Sequence, residues 1–158
     1  MSYVLAGIGR GQLEVLDLRV KQRRAIAFRY QDGFADLPGI TLMPQASYGL
    51  HTNWLSCFLI DEEDFGCSRD ALIQALASAN VESRPVWKPM HLQPFYSECD
   101  CYGGGVAADL FRRGICLPSS SSLTEQEQLH VVNTVRRTVD ARPLREKCQQ
   151  ELLAEAGD

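Results

Sequence analysis

The sequence predicts an α+β domain of two layers, in which a long N-terminal helix accompanies a small sheet covered by further helices. Three observations carry this. Apolar residues recur at helical spacing between Leu13 and Phe34. Short β-prone runs follow, bounded by proline, glycine and serine. The helical segments outnumber those runs, and the connections between them are short. Residues 1–142 read as one domain and 143–158 as a helical tail, with no internal repeat.

The first helix is expected from about Leu13 to Asp36, with Leu13, Leu16, Val20, Ala27, Phe28 and Phe34 as its apolar stripe. Leu37-Pro38-Gly39 stops it, because proline disfavours helical geometry in the residue before it. Gly7, Gly9 and Gly11 precede it at alternate positions. Each lowers helix propensity by about 1 kcal/mol relative to alanine, which a helix tolerates when it packs closely on something. Their spacing is not a phosphate loop, since no strand leads in and the G-x-G-x-x-G pattern is absent.

Ile40 to Met43 is a short strand ended by Pro44, and Asn53 to Ile60 is the most strand-like stretch. The near-continuous apolarity of the latter predicts burial on both faces. Ser68 caps a helix to about Ala79, with Leu72, Ile73, Leu76 and Ala79 on one face. Val81 to Trp87 is a strand that Pro85 moves to a sheet edge. Lys88 to Gly105 is a loop with Pro89, Pro94 and three successive glycines. A helix from Val106 to Arg113 ends at Gly114, a residue suited to a C-terminal cap, and Ile115 to Leu117 is a strand stopped by Pro118. Thr124-x-x-Glu127 is a capping box opening a helix to about Asp140, with Leu129, Val132, Val135 and Val139 inward. Leu144 to Ala156 is a last helix.

Composition excludes several classes. A chain of 158 residues, 45% hydrophobic and 23% charged, is an ordinary globular composition. The formal charge is −4, and only Lys21-Gln22-Arg23-Arg24 clusters basic residues, so nucleic acid is not an expected partner. No apolar run approaches the about 18 residues that cross a bilayer, and no basic region precedes the first apolar stretch. The expected location is the cytoplasm, without a membrane partner. The six cysteines are accordingly expected as reduced thiols. Cys99-x-Cys101 lacks the spacing and second pair of a zinc motif, so no metal is expected.

The richest chemistry lies in Trp87-Lys88-Pro89-Met90-His91-Leu92-Gln93-Pro94, where two prolines stiffen a loop carrying an aromatic, a cation and an imidazole. A plain alternative stands beside it: Trp87 in the core, Lys88 solvated, and His91 bonded to a backbone carbonyl. His51 and Cys57 are a poor nucleophilic pair, because no third group orients them and a mid-strand cysteine behaves as a small hydrophobe. His130 is expected on the surface. Ser119 to Ser122 is a turn that caps its own helix rather than an anion site. The three lysines are Lys21, Lys88 and Lys147. None has the pocket or accompanying carboxylate that a cofactor-bound lysine needs.

These motifs, in this order, resemble one family. Met1-Ser2-x-Val4-Leu5-Ala6-Gly7-Ile8-Gly9-x-Gly11-Gln12-Leu13-Glu14 is similar to the "NYRMSNLLAAIGLGQLE" segment of the DegT/DnrJ/EryC1/StrS aminotransferases. Leu37-Pro38-Gly39-Ile40, Ser68-Arg69-Asp70-Ala71-Leu72 and the Arg84 to Pro94 loop follow in register. Gly114-Ile115-Cys116-Leu117-Pro118-Ser119 and Leu123-Thr124-x-x-Glu127 resemble the closing "GLCLPSGSSLT" signature. The likeness runs from Met1 to about Asp140. The loop with tryptophan, lysine and methionine most resembles members acting in bacillosamine or pilin-glycan synthesis.

The resemblance implies the small domain of a fold-type I enzyme that uses pyridoxal phosphate (PLP). Such an enzyme moves an amino group from glutamate to a keto nucleotide-sugar, at a site between two subunits. The cofactor lysine, the ring-stacking aromatic and the pyridine-nitrogen aspartate come from the large domain, which has no counterpart in this sequence. The expectation is therefore the C-terminal part of such an aminotransferase, inactive and without bound PLP when alone. Trp87, Lys88 and His91 match positions lining its sugar-nucleotide side. No position matches a catalytic residue, and Cys99 to Tyr102 matches no family motif. Val4, Leu5 and Ile8 would lose the cover of the large domain, so a homodimer through the first helix is expected. The alternative is a stand-alone, non-catalytic sugar-binding or interaction domain. A cysteine or histidine hydrolase is disfavoured.

Overall fold

The computed structural model describes residues 2–140. The expected last helix, and with it Lys147 and Cys148, lies outside the described residues. The rest follows the expected order: α1 (Tyr3–Glu14), α2 (Leu16–Gly33), β1 (Ile40–Leu42), β2 (Ser56–Ile60), α3 (Glu62–Phe65), α4 (Arg69–Ser78), β3 (Arg84–Pro85), α5 (Gly105–Arg113), β4 (Gly114–Leu117) and α6 (Glu125–Asp140). The strands form one antiparallel sheet in the order β1-β2-β4-β3. β3 is an edge strand, as Pro85 requires.

The core forms where one face of the sheet meets α2, α4 and α6. Phe58 and Ile60 of β2 and Ile115 and Leu117 of β4 point into it. Ile26, Tyr30 and Phe34, Leu72 and Leu76, and Val131, Val132 and Val135 come down from the helical side. Tyr30, Phe34 and Phe58 pack ring to ring at 5.3 to 6.2 Å. Burial raises the pKa of the Tyr30 phenol, which donates to the Pro118 carbonyl at 2.9 Å. A buried hydroxyl that keeps a partner avoids the cost of an unmade bond. Residues along β2 alternate between buried and half-buried. The expectation of burial on both faces is thus corrected: the main helical layer covers one face, and Cys57 and Leu59 lie on the other.

The N-terminal helix differs from expectation in extent and in contacts. It begins at Tyr3, runs through all three glycines, and breaks at Val15, whose φ of −109° and ψ of 3° leave the helical region. No residue of α1 is buried, and a Cβ on Gly7, Gly9 or Gly11 would meet nothing within 4 Å. Val4, Leu5, Ile8, Leu13, Leu16 and Phe28 are all exposed. The stripe that packs is Ile26, Ala27, Tyr30 and Phe34, because only the C-terminal part of α2 lies against the sheet layer.

Local signals hold at the other helices. Ser68 Oγ accepts from the Ala71 N–H at 3.3 Å as the α4 cap. In the capping box, Thr124 Oγ1 accepts from the Glu127 N–H at 3.2 Å, and the Glu127 carboxylate accepts from the Thr124 N–H at 2.8 Å. Of the expected inward stripe of α6, Val132, Val135 and Val139 pack on the core but Leu129 is exposed, and Val131 and Gln128 are buried beside them. Gln128 bridges two helices, donating to the Ile26 carbonyl at 2.7 Å and accepting from Arg29 Nε at 2.7 Å. Gly114 is not a left-handed cap; its φ of −80° and ψ of 131° are extended. Glycine is needed there for space, since a Cβ would lie 2.5 Å from the Leu110 carbonyl oxygen.

Candidate functional site

The loop between β1 and β2 is held down by α2. Arg24 donates to the His51 carbonyl at 2.7 Å. Arg23 donates to the Ser119 carbonyl at 3.0 Å and also to the Trp54 carbonyl, which Ser119 Oγ reaches at 3.2 Å. Charge-assisted bonds of this kind are the stronger class. Asn53 adopts a left-handed φ of 52°, a conformation asparagine tolerates, and so turns the chain into β2. Its N–H donates to His51 Nδ1 at 3.1 Å.

This arrangement sets Trp54 against Trp87, which emerges from the β3 edge. The two rings stack with centroids 6.4 Å apart and planes at 28°. His51, Trp54, Cys57 and Trp87 line a cleft of about 350 Å³. Trp87 is 69% exposed, so the alternative that placed it in the core is corrected: the open side of the sheet leaves it in solvent. Among the described residues, no Asp, Glu, Lys or Arg lines the cleft. Its chemistry is that of an aromatic platform with a neighbouring imidazole, suited to the flat face of a sugar or base.

Of Trp87, Lys88 and His91, only Trp87 lines the cleft. Lys88 is exposed, and its carbonyl accepts from Gln93 Nε2 at 3.4 Å. His91, in a 3-10 turn at Met90–Leu92, packs on the backbone of Gly104, where a Cβ would lie 2.9 Å from its Cε1. Neither lines the tryptophan cleft. Trp87 stacks on Trp54 and shares the cleft with His51, residues that the sequence places in a buried strand and in a poor nucleophilic pair. The remaining signal was the polar Gly49-Leu50-His51-Thr52-Asn53 run before Trp54, a loop composition that places the ring outside the strand. Cys57 contacts Cys116 rather than His51.

A larger groove of about 730 Å³ runs between β3 and α6. Three of its polar side chains are committed to the fold. Glu127 closes the capping box, Arg84 pairs with Glu82, and His130 lies 3.1 Å from the Ala79 carbonyl. Among the described residues, no group of three or more His, Cys, Asp or Glu is placed to hold a metal ion. No described helix is long and apolar enough to cross a membrane.

The residues present do not fit PLP. The described lysines, Lys21 and Lys88, are both exposed, and the cleft beside Trp87 holds no carboxylate for a pyridine nitrogen. What the fold defines is a small α+β domain with one antiparallel sheet. The sequence profile of the DegT/DnrJ/EryC1/StrS aminotransferase family matches residues 1–136, and the chain belongs to that family. EpsN of Bacillus subtilis (strain 168), which carries the name of a pyridoxal phosphate-dependent aminotransferase, is 45% identical over 141 residues, covering 85% of this chain and 35% of EpsN. GDP-perosamine synthase of Vibrio cholerae is 31% identical, over 86% of this chain and 37% of the enzyme. The aminotransferase TlmJ of Streptoalloteichus hindustanus superposes with a TM-score of 0.75 at 26% identity, over 86% of this chain and 36% of TlmJ. DesI, solved with its TDP-sugar product, has the same fold with a TM-score of 0.82 at 23% identity, over 94% of this chain and 38% of DesI. The chain spans about a third of the length of the curated relatives it matches.

Proposed function

We propose that this chain is the small-domain part of a PLP-dependent sugar aminotransferase, which transfers an amino group from glutamate to a keto nucleotide-sugar for glycan synthesis. The observation that carries the reading is the exposed Trp54–Trp87 stack beside His51, in a chain of aminotransferase sequence. Trp87 offers a face to the sugar or base, and Lys88, solvated at the next position, offers a cation to the diphosphate. His91, seated on Gly104, offers a ring nitrogen to a hydroxyl or phosphate oxygen from the far end of the loop. The cofactor chemistry belongs to the two thirds of the enzyme that this chain does not match.

A chimera tests the reading: the cofactor-bearing N-terminal segment of EpsN joined in register to this chain. It is expected to transaminate a keto nucleotide-sugar, and Trp87→Ala in the chimera is expected to raise KM more than it lowers kcat. A folded chimera with bound PLP whose KM ignores Trp87→Ala would sink the assignment of the cleft. The chain alone is expected to take up no stoichiometric PLP. A visible aldimine band on the isolated chain, lost in Lys88→Ala, would overturn that expectation.

A second reading is a free-standing sugar-binding domain, which the exposed Trp54–Trp87 stack would serve as a platform. Calorimetric titration of the isolated chain with a UDP-sugar separates the two. Binding lost in Trp87→Ala supports the module, and no heat supports the enzyme part. A homodimer through α1 belongs to the first reading, with the exposed Leu5 and Ile8 as its centre. The expected location is the cytoplasm.

A further inference from the structure

The open face of the sheet carries a pair of nucleophilic groups that the sugar reading does not use. Cys57 on β2 and Cys116 on β4 stand directly opposite in antiparallel register, with their Sγ atoms 3.6 Å apart. Opposed residues in antiparallel strands have Cα atoms about 4.5 or about 5.5 Å apart, according to hydrogen-bonding class. A disulfide accepts Cα separations of about 4.4 to 6.8 Å. Either class lies inside that window, so joining the sulfurs requires side-chain rotation and no backbone shift.

Both thiols are half-buried, and each opens onto a different cavity. Cys57 lines the tryptophan cleft, and Cys116 lines the groove between β3 and α6. Either sulfur can donate to the other, so the contact keeps the proton on one thiol and favours the thiolate on its partner. A thiolate is the form that attacks a disulfide. Cys99 and Cys101 are exposed, and Cys101 Sγ lies 3.5 Å from the Gly103 carbonyl.

We propose that Cys57 and Cys116 form an oxidisable dithiol site, which a low-molecular-weight disulfide converts to a cross-strand disulfide. The thiolate of one cysteine attacks one sulfur of the small disulfide, breaking its S–S bond and releasing one thiolate. The other cysteine then gives its proton to solvent and attacks the first cysteine's sulfur, displacing the second thiolate. The protein loses two protons and two electrons, and the two released thiolates take up protons, so one small disulfide becomes two thiols.

The experiment equilibrates the full 158-residue chain in buffers of oxidised and reduced glutathione. Samples are quenched with acid, alkylated, digested and mapped by mass spectrometry. The expected result is a peptide pair linked through Cys57 and Cys116 and a loss of two thiols per chain. Tryptophan emission should fall with the same glutathione dependence, because both tryptophans of the chain line the cleft beside Cys57. Cys57→Ala and Cys116→Ala should each remove the link and the emission change, while a Cys99→Ala/Cys101→Ala double variant keeps both. An oxidised chain in which Cys57 and Cys116 still alkylate, or carry separate glutathione adducts, overturns the proposal. The mapping uses the unaltered sequence, so it decides the matter even where a strand variant fails to fold.

Discussion

α1 and α6 are both regular, well-capped helices, of 12 and 16 residues, yet they meet opposite environments. α6 buries Gln128, Val131, Val132, Val135 and Thr138 against α2, α4 and the sheet layer. α1 carries as many large apolar side chains, among them Val4, Leu5, Ile8 and Leu13, and buries none of them. The difference teaches that an apolar stripe licenses burial without supplying the surface that accepts it. α6 finds that surface within its own chain. α1 leaves its stripe exposed, and contiguous exposed apolar patches are a feature of contact sites.

The largest expected effect tests the packed side of the comparison. Phe58→Ala removes the ring at the centre of the aromatic cluster and is expected to cost about 3–5 kcal/mol. Urea denaturation should show the midpoint fall with little change in slope. A loss below about 1 kcal/mol would mean that the helical layer is not packed on the sheet as described.

Next comes the bare side. Leu5→Ser with Ile8→Ser should leave the stability of the body within about 0.5 kcal/mol, since neither side chain touches the core. The same pair should shift light-scattering mass from dimer toward monomer at micromolar concentration, because at about 25 cal/mol per Å² a patch of this size is worth several kcal/mol when paired. A dimer that survives the double change has its interface elsewhere.

Thr124→Ala removes the reciprocal cap of α6 and is expected to cost about 1 kcal/mol. Thermal unfolding measures it, and Ser2→Ala at the α1 cap is the control. That control should not move the unfolding of the body, because α1 is not part of it.

The smallest effect is electrostatic. Hydrogen bonds from the Thr124 N–H and hydroxyl hold the Glu127 carboxyl below its usual range, and those from the Arg136 guanidinium do the same for Asp36. A depressed folded-state pKa gives stability that is fully present above the unfolded carboxyl values of about 4 and is lost as pH falls through the lower folded values. Stability should therefore decline gently below about pH 4, and less steeply in Thr124→Ala. An identical slope in the variant would remove Glu127 from the account.

What the sequence determined by itself is the local part of this protein. The element order, the Ser68 cap, the Thr124–Glu127 box and the edge placement of β3 at Pro85 all came from neighbours within a few residues. Short-range backbone sterics and hydrogen bonding suffice for these. The stiff loop after Trp87 was legible in the same way, and so was the aminotransferase likeness that it helps to carry.

The tertiary structure decided the rest. Which face of α6 turns inward depends on how Gln128 reaches Ile26 and Arg29, partners about a hundred residues away in sequence. The seating of His91 on Gly104 and the stacking of Trp87 on Trp54 depend on how loops meet beside the sheet. Cys57 faces Cys116 because of strand register, and a slip of one residue would part them and turn Phe58 out of the core. These are non-local pairings, and no local periodicity encodes them. They are settled only when the chain packs.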